Sequence, residues 1–407
     1  MKRAFVSLFS GAGGLDIGLE QAGWRCVYAS DIDRSAIDSL MENRGVQVAQ
    51  STSFLADALI EQRDVSTQSG AEILAKLGMR RGDLELLAGG PPCQAWSSAG
   101  RQLGFADPRG QVAQEFVRLA AELSPRWILM ENVRGLLTAR DQQGHPGGAL
   151  HNLRAMLLEH GYQTDVRLLN AADFGVAQRR VRLFVVGFRS SDAPPWPTAT
   201  HAQAPSPLDE GVGKWRTMRE ALSFGWPISE LEVIRPSSRL LGRLEELKPG
   251  TGLKSPGKVE STRPGGHWGY TQGAFVCDLD RPARTVTASA QQDWLRDPHW
   301  GLRRLTPREC ATLQSFPGTW RVPASIQAAY RLVGNAVPPD LGHAVGTSLF
   351  RAAVEPVAVQ NDLQGLAPLP QRLRAAIEYT IKEEHRNGAS RRLRSPKRAN
   401  PETMPLW

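Results

Sequence analysis

The sequence predicts an α/β protein with a doubly wound, mostly parallel sheet and a smaller irregular region. Short apolar runs alternate with amphipathic stretches through the first ~190 residues, which is typical of strands followed by helices that cover both sheet faces. Glycines or acidic residues follow several of these runs. Because ligands of such sheets bind at the carboxyl ends of the strands, we expect the functional site there.

The predicted strands and helices follow from hydrophobic spacing. The strand candidates are Phe5 to Phe9, Cys26 to Ala29, Leu84 to Ala88, Trp127 to Met130 and Arg182 to Gly187. The helix candidates are residues 15–22 and 111–123, the second with apolar residues at Val112, Phe116, Leu119, Ala120 and Leu123.

The regular hydrophobic spacing of the sequence is lost near Ser190 and returns near Leu305. Between them the chain is rich in Pro and Gly, and seven of the 11 tryptophans lie from Trp196 to Trp320. Thr306, Pro307 and Glu309 form a capping-box pattern that predicts a helix through Phe316. We therefore expect a catalytic region at 1–189, a recognition region at 190–303, a return to the first domain at 304–350 and a basic extension at 351–407.

Composition indicates a folded chain that suits a polyanionic partner. The 407 residues can form about two or three domains. Lys+Arg number 49 against 41 Asp+Glu, a formal charge of +8. The four cysteines form no C-x-x-C pair, so we expect neither disulfides nor a metal site, and reduced thiols favour the cytoplasm. We expect no signal peptide, because the uncharged run after Arg3 is too short, and no apolar run reaches the ~18 residues of a membrane span.

A glycine-rich turn follows the first strand and precedes a helix, where glycines allow a backbone to approach a ligand closely. Its residues are Phe9, Ser10, Gly11, Ala12, Gly13 and Gly14. Asp31 lies 20 residues beyond Gly11, a distance at which a carboxylate reaches ribose hydroxyls in nucleotide-binding folds. The dinucleotide spacing is absent, so the turn favours a small adenosyl ligand, and a plain tight turn is the alternative.

Cys93 follows Pro91 and Pro92 at the end of a predicted strand. A cysteine on such a stiff backbone beside a crevice indicates a nucleophile, although a lone cysteine is more often a small buried residue. Glu131 follows the next strand, and neighbouring strand ends in a doubly wound sheet bring Cys93 and Glu131 together.

Arg180 and Arg182 precede or begin a later strand, where alternate residues share a face. Two guanidinium groups on one face suit a carbonyl oxygen or phosphates. A basic edge strand is the alternative.

Taken together, these motifs resemble the cytosine-5 DNA methyltransferase family over about residues 4–345. The motifs occur in the family's order: the glycine turn, Pro91 to Gln94, Glu131 to Val133, Gln178 to Arg182, Arg304 to Glu309 and Gly334 to Val337. The resemblance implies a doubly wound methyltransferase domain and a target-recognition domain. It implies methyl transfer from S-adenosylmethionine to carbon 5 of a flipped-out cytosine in a specific double-stranded DNA sequence.

The resemblance also assigns roles. Cys93 is the nucleophile that adds to carbon 6, Glu131 bonds N3 and the exocyclic amine, Arg182 binds O2 and Arg180 positions the site. The implied cofactor contacts are Phe9 to Gly14, Asp31, Ile32, Asp64, Pro91, Asn335 and Val337. A mobile loop at Ala95–Gly110 is implied, and the DNA contacts are Gln94, Ser97, Arg101, Arg109 and Thr285.

Several alternatives stay open. The enzyme is expected to be a monomer of the restriction–modification type, with a cognate endonuclease as a functional partner. An RNA cytosine-5 methyltransferase and an inactive DNA-binding relative are the competing interpretations; an amino-group methyltransferase is disfavoured because Cys93 stands where an aromatic residue is needed. The tail carries nine Lys/Arg and three Glu from Gln371 to Asn400. It is either a basic arm that adds salt-dependent DNA affinity or, given the helical spacing of Leu373, Ala376, Ile377 and Ile381, an appendage for a partner protein.

Overall fold

The computed structural model describes residues 3–92, 108–189, 195–206, 209–223, 228–254, 256, 273–323, 325–354 and 365–386. Within these ranges the strands are β1 (Ala4–Leu8), β2 (Arg25–Asp31), β3 (Gln47–Ala49), β4 (Thr52–Ser53), β5 (Leu59–Gln62), β6 (Leu86–Gly89), β7 (Trp127–Val133), β8 (Gln163–Asn170), β9 (Val181–Phe188), β10 (His201–Ala202), β11 (Gly213–Lys214), β12 (Thr251–Gly252), β13 (Phe275–Val276), β14 (Trp294–Asp297) and β15 (Gly301–Arg304).

Three helices were predicted, and each begins and ends within about three residues of its predicted bounds. The helices of the same ranges are α1 (Gly14–Gln21), α2 (Arg34–Asn43), α3 (Gly70–Leu77), α4 (Pro108–Leu123), α5 (Gly148–Glu159), α6 (Met218–Leu222), α7 (Ser238–Glu245), α8 (Pro307–Leu313), α9 (Ile326–Asn335), α10 (Pro339–Val354) and α11 (Gln371–Arg386). None of these described helices is long and apolar enough to cross a membrane.

Seven strands form the central sheet, in the order β5-β2-β1-β6-β7-β9-β8. All neighbouring pairs from β5 to β7 are parallel, and β9 runs antiparallel to both of its neighbours. The predicted doubly wound, mostly parallel sheet is therefore confirmed. The strand order reverses between β1 and β6, which is where such folds open a ligand crevice. The glycine turn follows β1, and Gly90 and Pro91 follow β6.

Alternation along β1 divides the core between the two faces of the sheet. Phe5 joins a cluster with α1, α2 and α10, whereas Val6 and Leu8 join a cluster with α3, α4, α5 and α11. The helix pair α1 and α10 packs closely, because a Cβ on Gly18 would lie 2.4 Å from the carbonyl oxygen of Pro339. This packing holds the start of α1, and with it the glycine turn, against the sheet.

The middle of the chain forms smaller sheets, including a four-stranded one in the order β12-β13-β14-β15. It has a small core of its own around Leu244 and Trp294. Cys277, Ala283 and Val286, however, belong to the first large core. The predicted domain boundaries at 189 and 303 stay a prediction.

The capping box of α8 is confirmed. Glu309 N–H donates to the Thr306 hydroxyl, and Thr306 N–H donates to the Glu309 carboxylate. The helix ends at Leu313 rather than Phe316.

The predicted C-terminal helical pattern is α11, which packs on the chain's own second core. Leu373 is buried there, and Ile377 contacts Gly147 at the start of α5. The preceding segment is also bound, since Gln163 Nε2 donates to the carbonyl oxygen of Gly365 at 2.7 Å. This part of the tail is an integral helix of the fold.

Candidate active site

The glycine turn is shaped by positive φ angles and close packing. Phe9, Gly11 and Gly13 have φ of 58°, 55° and 74°. A Cβ on Gly14 would lie 2.1 Å from the carbonyl oxygen of Val337. Because that oxygen belongs to the backbone, no side chain fits at position 14 unless the α9–α10 connection moves. The turn therefore packs tightly against the segment from Gly334 to Val337, which the sequence analysis assigned to the same pocket.

Asp31 lies at the end of β2 and faces this turn. Its Oδ2 accepts from Gly11 N–H and its Oδ1 from Asp33 N–H, both at 2.9 Å. Burial raises the pKa of the Asp31 carboxyl, and the backbone N–H groups of Asp33 and Gly11 partly oppose that shift. The carboxylate is thus fixed in position beside the turn.

The residues around Asp31 fit an adenosyl group. Ile32 is 61% exposed although it is apolar, and half-buried Phe9 follows β1 next to it in the sheet. Two apolar surfaces beside an anchored carboxylate suit a flat base attached to a ribose. Of the other predicted cofactor residues, Val337 and Pro91 are buried and Asn335 is exposed. Asp64 is exposed as well, and its carboxylate accepts from Ser66 N–H at 2.9 Å.

Glu131 and Arg182 form the charged centre of the other half of the site. Arg182 Nε lies 2.9 Å from Glu131 Oε1, and Glu131 is 7% exposed. Burial raises the pKa of Glu131, while Arg182 and Arg180 act against this rise. The strand predicted to end at Glu131 is two residues longer, because β7 continues to Val133 through its pairing with β9.

The end of β6 is tied to Glu131 and its neighbour. A Cβ on Gly90 would lie 3.1 Å from Glu131 Oε2, and Asn132 Nδ2 donates to the carbonyl oxygen of Pro91 at 3.1 Å. These contacts hold Gly90 beside the Glu131 carboxylate and Pro91 beside Asn132, three and two residues before Cys93. Cys93 itself lies outside the described residues, together with Gln94, Ser97 and Arg101. The side chain of Arg109, in α4, is also outside them.

Arg180 has different hydrogen-bond partners from Arg182, although both guanidinium groups lower the pKa of Glu131. Arg180 precedes β9, is 0% exposed and donates to the carbonyl oxygens of Val286 (3.0 Å) and Gly334 (2.8 Å). A side chain held in this way joins three segments of the backbone. We therefore regard Arg180 as a positioning residue behind the Glu131–Arg182 pair.

Thr285 belongs to the same junction. Its hydroxyl donates to the carbonyl oxygen of Arg179 at 2.8 Å, and Val286 N–H donates to Gln178 Oε1 at 2.9 Å. A backbone bridge between Gln178 and Ala283 adds to these bonds. The middle region is thus fastened directly beside the arginine that contacts Glu131. A contact of Thr285 with DNA stays a prediction.

Sequence reasoning missed two buried polar residues beneath the turn, Ser7 and Asp16. The Ser7 hydroxyl donates to Asp16 Oδ1 at 2.5 Å, and both residues are 1% exposed. The available signal was an aspartate inside an otherwise apolar helix pattern, since a buried carboxylate needs a partner.

The sequence was also compared with protein families and with known proteins. A sequence model of the family described as C-5 cytosine-specific DNA methylase matches residues 3–351. The chain is similar to the type II methyltransferase M.Eco47II of Escherichia coli, with 33% identity over 84% of this chain and 78% of that protein. It is also similar to the type II methyltransferase M.FnuDI of Fusobacterium nucleatum, with 28% identity over 88% of this chain and 97% of that protein.

Among solved structures, Spodoptera frugiperda DNMT2 shares the fold. The TM-score is 0.58 at 18% identity, over 87% of this chain and 100% of that one. The family match spans the sheet, the Glu131–Arg182 pair and the segment from Gly334 to Val337. The chain therefore belongs to the C-5 cytosine-specific DNA methylase family and is a DNA cytosine-5 methyltransferase that uses S-adenosylmethionine.

Proposed function

We propose that this enzyme methylates carbon 5 of a flipped-out cytosine in a specific duplex DNA sequence, through a covalent bond between Cys93 and carbon 6. One observation carries the proposal: the buried Glu131–Arg182 pair lies against the backbone that leads to Cys93, and the glycine turn follows the adjacent strand β1. The Glu131–Arg182 pair, the end of β6 and the glycine turn thus lie at one edge of the sheet, which supports this proposal.

The roles of the protein groups follow from their chemistry. Cytosine carbon 5 is a poor nucleophile, and addition of the Cys93 thiolate to carbon 6 places electron density on it. Glu131 holds a proton near neutral pH more readily than an exposed glutamate, because burial raises its pKa. It can therefore donate that proton to N3 as the thiolate adds. Arg182 would bind the O2 oxygen, and its ion pair with Glu131 supports this role.

Bound S-adenosylmethionine supplies the methyl group. Asp31 would hold the ribose hydroxyls of this cofactor, and the Phe9 to Gly14 turn would contact its amino-acid part. After transfer, a base removes the carbon 5 proton and the Cys93 sulfur leaves carbon 6. A buried Glu131 cannot reach a stacked base, so the cytosine has to leave the duplex, at a cost of about a few kcal/mol.

We further propose that the recognition region, within about residues 190–303, selects the sequence, and that methylation protects host DNA in a restriction–modification system. The type II methyltransferase relatives support this role. An RNA cytosine-5 methyltransferase is the competing proposal, and the size of the region between Gln178 and Arg304 favours duplex DNA.

The first test measures methyl incorporation from labelled cofactor into plasmid DNA and into tRNA. Bisulfite sequencing of DNA from expressing cells then locates the modified cytosines. We expect one recurring sequence in DNA and no incorporation into tRNA. Incorporation into tRNA alone would overturn the proposal.

The second test concerns the covalent step. With cofactor present, DNA containing 5-fluorocytosine should form a denaturation-resistant complex with the wild-type enzyme. Carbon 5 then carries fluorine in place of the proton that a base has to remove before the Cys93 sulfur can leave. Cys93→Ser should form no such complex and lose turnover while it still binds cofactor. Cys310→Ala, which removes a cysteine 0% exposed in α8, serves as the matched control and should still be trapped. Trapping of Cys93→Ser would refute the nucleophile.

A further inference from the structure

Two hydrogen bonds connect the surface of the glycine turn to a buried carboxylate. The Ser10 hydroxyl donates to Ser7 Oγ at 2.8 Å, and the Ser7 hydroxyl donates to Asp16 Oδ1 at 2.5 Å. Ser10 is half-buried in the turn, whereas Ser7 in β1 and Asp16 in α1 are both buried. The three groups therefore form a chain from the cofactor side of the turn into the core.

At pH 8, above the pKa of about 7 to which burial raises Asp16, its ionised carboxylate determines the direction of the bonds. A carboxylate can only accept, so the Ser7 proton has to point at Asp16. Ser7 then offers only its lone pairs to Ser10, and the Ser10 proton points inward, at Ser7 or at Asp16 itself. What Ser10 presents to a ligand is its remaining acceptor capacity.

The surrounding charges suit a cationic ligand group. Among the described residues, neither Asp16 nor Asp31 forms an ion pair, and Asp16 Oδ2 is buried without a hydrogen-bond partner. The like charge of Asp31 adds to the rise in the pKa of Asp16. Two such carboxylates without a protein cation favour a ligand group that carries a positive charge.

We infer that Asp16 is a positioning residue which, through Ser7, fixes the Ser10 hydroxyl as an acceptor for the ammonium group in the amino-acid part of the cofactor. An ammonium group has three donors and no acceptor, so it matches this hydroxyl, whereas the cofactor's own carboxylate does not. The inference rests on the proposed function, because it assumes that this turn holds S-adenosylmethionine.

The test is calorimetric binding of S-adenosylhomocysteine and of its deaminated analogue at pH 8, in the absence of DNA. The wild-type enzyme should prefer the amine-bearing ligand by about tenfold or more, the range of a hydrogen bond to a charged group. Ser7→Ala frees the Ser10 proton to rotate outward and should reduce this preference to about threefold or less. Ser10→Ala should do the same, and the double variant should lose no more than Ser10→Ala alone.

Ser39→Ala is the matched control, because Ser39 is a buried serine in α2, 2% exposed, and should keep the full preference. If Ser7→Ala weakens both ligands equally, the inference is wrong. If Ser7→Ala does not fold, Ser10→Ala in the half-buried turn decides alone. If only the inference about Ser10 is wrong, the wild-type enzyme still methylates DNA at saturating cofactor. If the proposed function is wrong, the wild-type enzyme does not methylate DNA at any cofactor concentration.

Discussion

The two halves of the site use buried carboxylates in opposite ways. On the base side, Glu131 is paired with the Arg182 guanidinium at 2.9 Å. On the cofactor side, Asp31 and Asp16 are held by backbone N–H groups and a hydroxyl, without an ion pair among the described residues. The base half is thus organised by side-chain charge, and the cofactor half by backbone packing and by the charge that its ligand brings. Variants on the base side should therefore lower turnover, and variants on the cofactor side should lower cofactor affinity.

The largest expected effect is on the base side. Glu131→Gln removes the proton donor and the partner of Arg182, so turnover should fall about 10³-fold, within the range of general acid catalysis. Affinity for S-adenosylhomocysteine should change less than about twofold, because Asp31 and the turn are untouched. Turnover with labelled cofactor and calorimetry measure the two quantities. A comparable loss of cofactor affinity would mean that the halves are not independent.

Next in size is a steric effect on the cofactor side. Gly14→Ala places a Cβ 2.1 Å from the Val337 carbonyl oxygen and should lower the free energy of unfolding by about 3 kcal/mol. Gly11→Ala is the control within the same turn, since its Cβ meets nothing closer than 4.0 Å and costs only the strain of φ +55°, roughly 1 kcal/mol. Urea denaturation measures both. Equal losses would contradict the close packing of the turn on the α9–α10 connection.

A smaller effect is expected from Asp31→Ala. Loss of the carboxylate should weaken S-adenosylhomocysteine binding about 10- to 100-fold, because hydrogen bonds to a charged group are lost. Turnover at saturating cofactor should stay within about threefold of wild type, the reverse of the Glu131→Gln pattern. Calorimetry that shows unchanged affinity would refute the role of Asp31.

The parts that sequence predicted well depend on local or periodic signals. The capping box of α8 needs only Thr306 and Glu309, and the apolar run of β7 defines its own strand. Strands β5 and β8 were not predicted, because Leu59–Gln62 and Gln163–Asn170 carry polar residues on their exposed faces at the sheet edges.

The site itself shows a second limit. The motifs placed Glu131 and Arg182 in one site, but they did not indicate the partners of Arg180, which precedes β9. The carbonyl oxygens that bind Arg180 come from residues more than 100 positions away. Such contacts between distant segments leave no local pattern.

The smallest expected effect tests the statement that Asp16 is buried without a cation. Burial raises the pKa of Asp16 to about 7, whereas an aspartate in the unfolded chain has a pKa of about 3.9. From about pH 4 to pH 7 the folded protein therefore keeps a proton that the unfolded chain has released. The contribution of Asp16 to stability is full below this window and falls as pH rises through it.

Between pH 6 and pH 8 about half a proton on average separates the two states, which lowers the free energy of unfolding by about 1.4 kcal/mol. Asp16→Asn cannot titrate, so its loss of stability between these pH values should be smaller than that of wild type by this amount. Asp57→Asn, at an exposed position, should leave the wild-type dependence unchanged. Urea denaturation at pH 6 and pH 8 measures the difference, and other carboxylates cancel because they titrate in all three proteins. Parallel curves for wild type and Asp16→Asn would mean that Asp16 has a compensating charge, and the cofactor half would then resemble the base half.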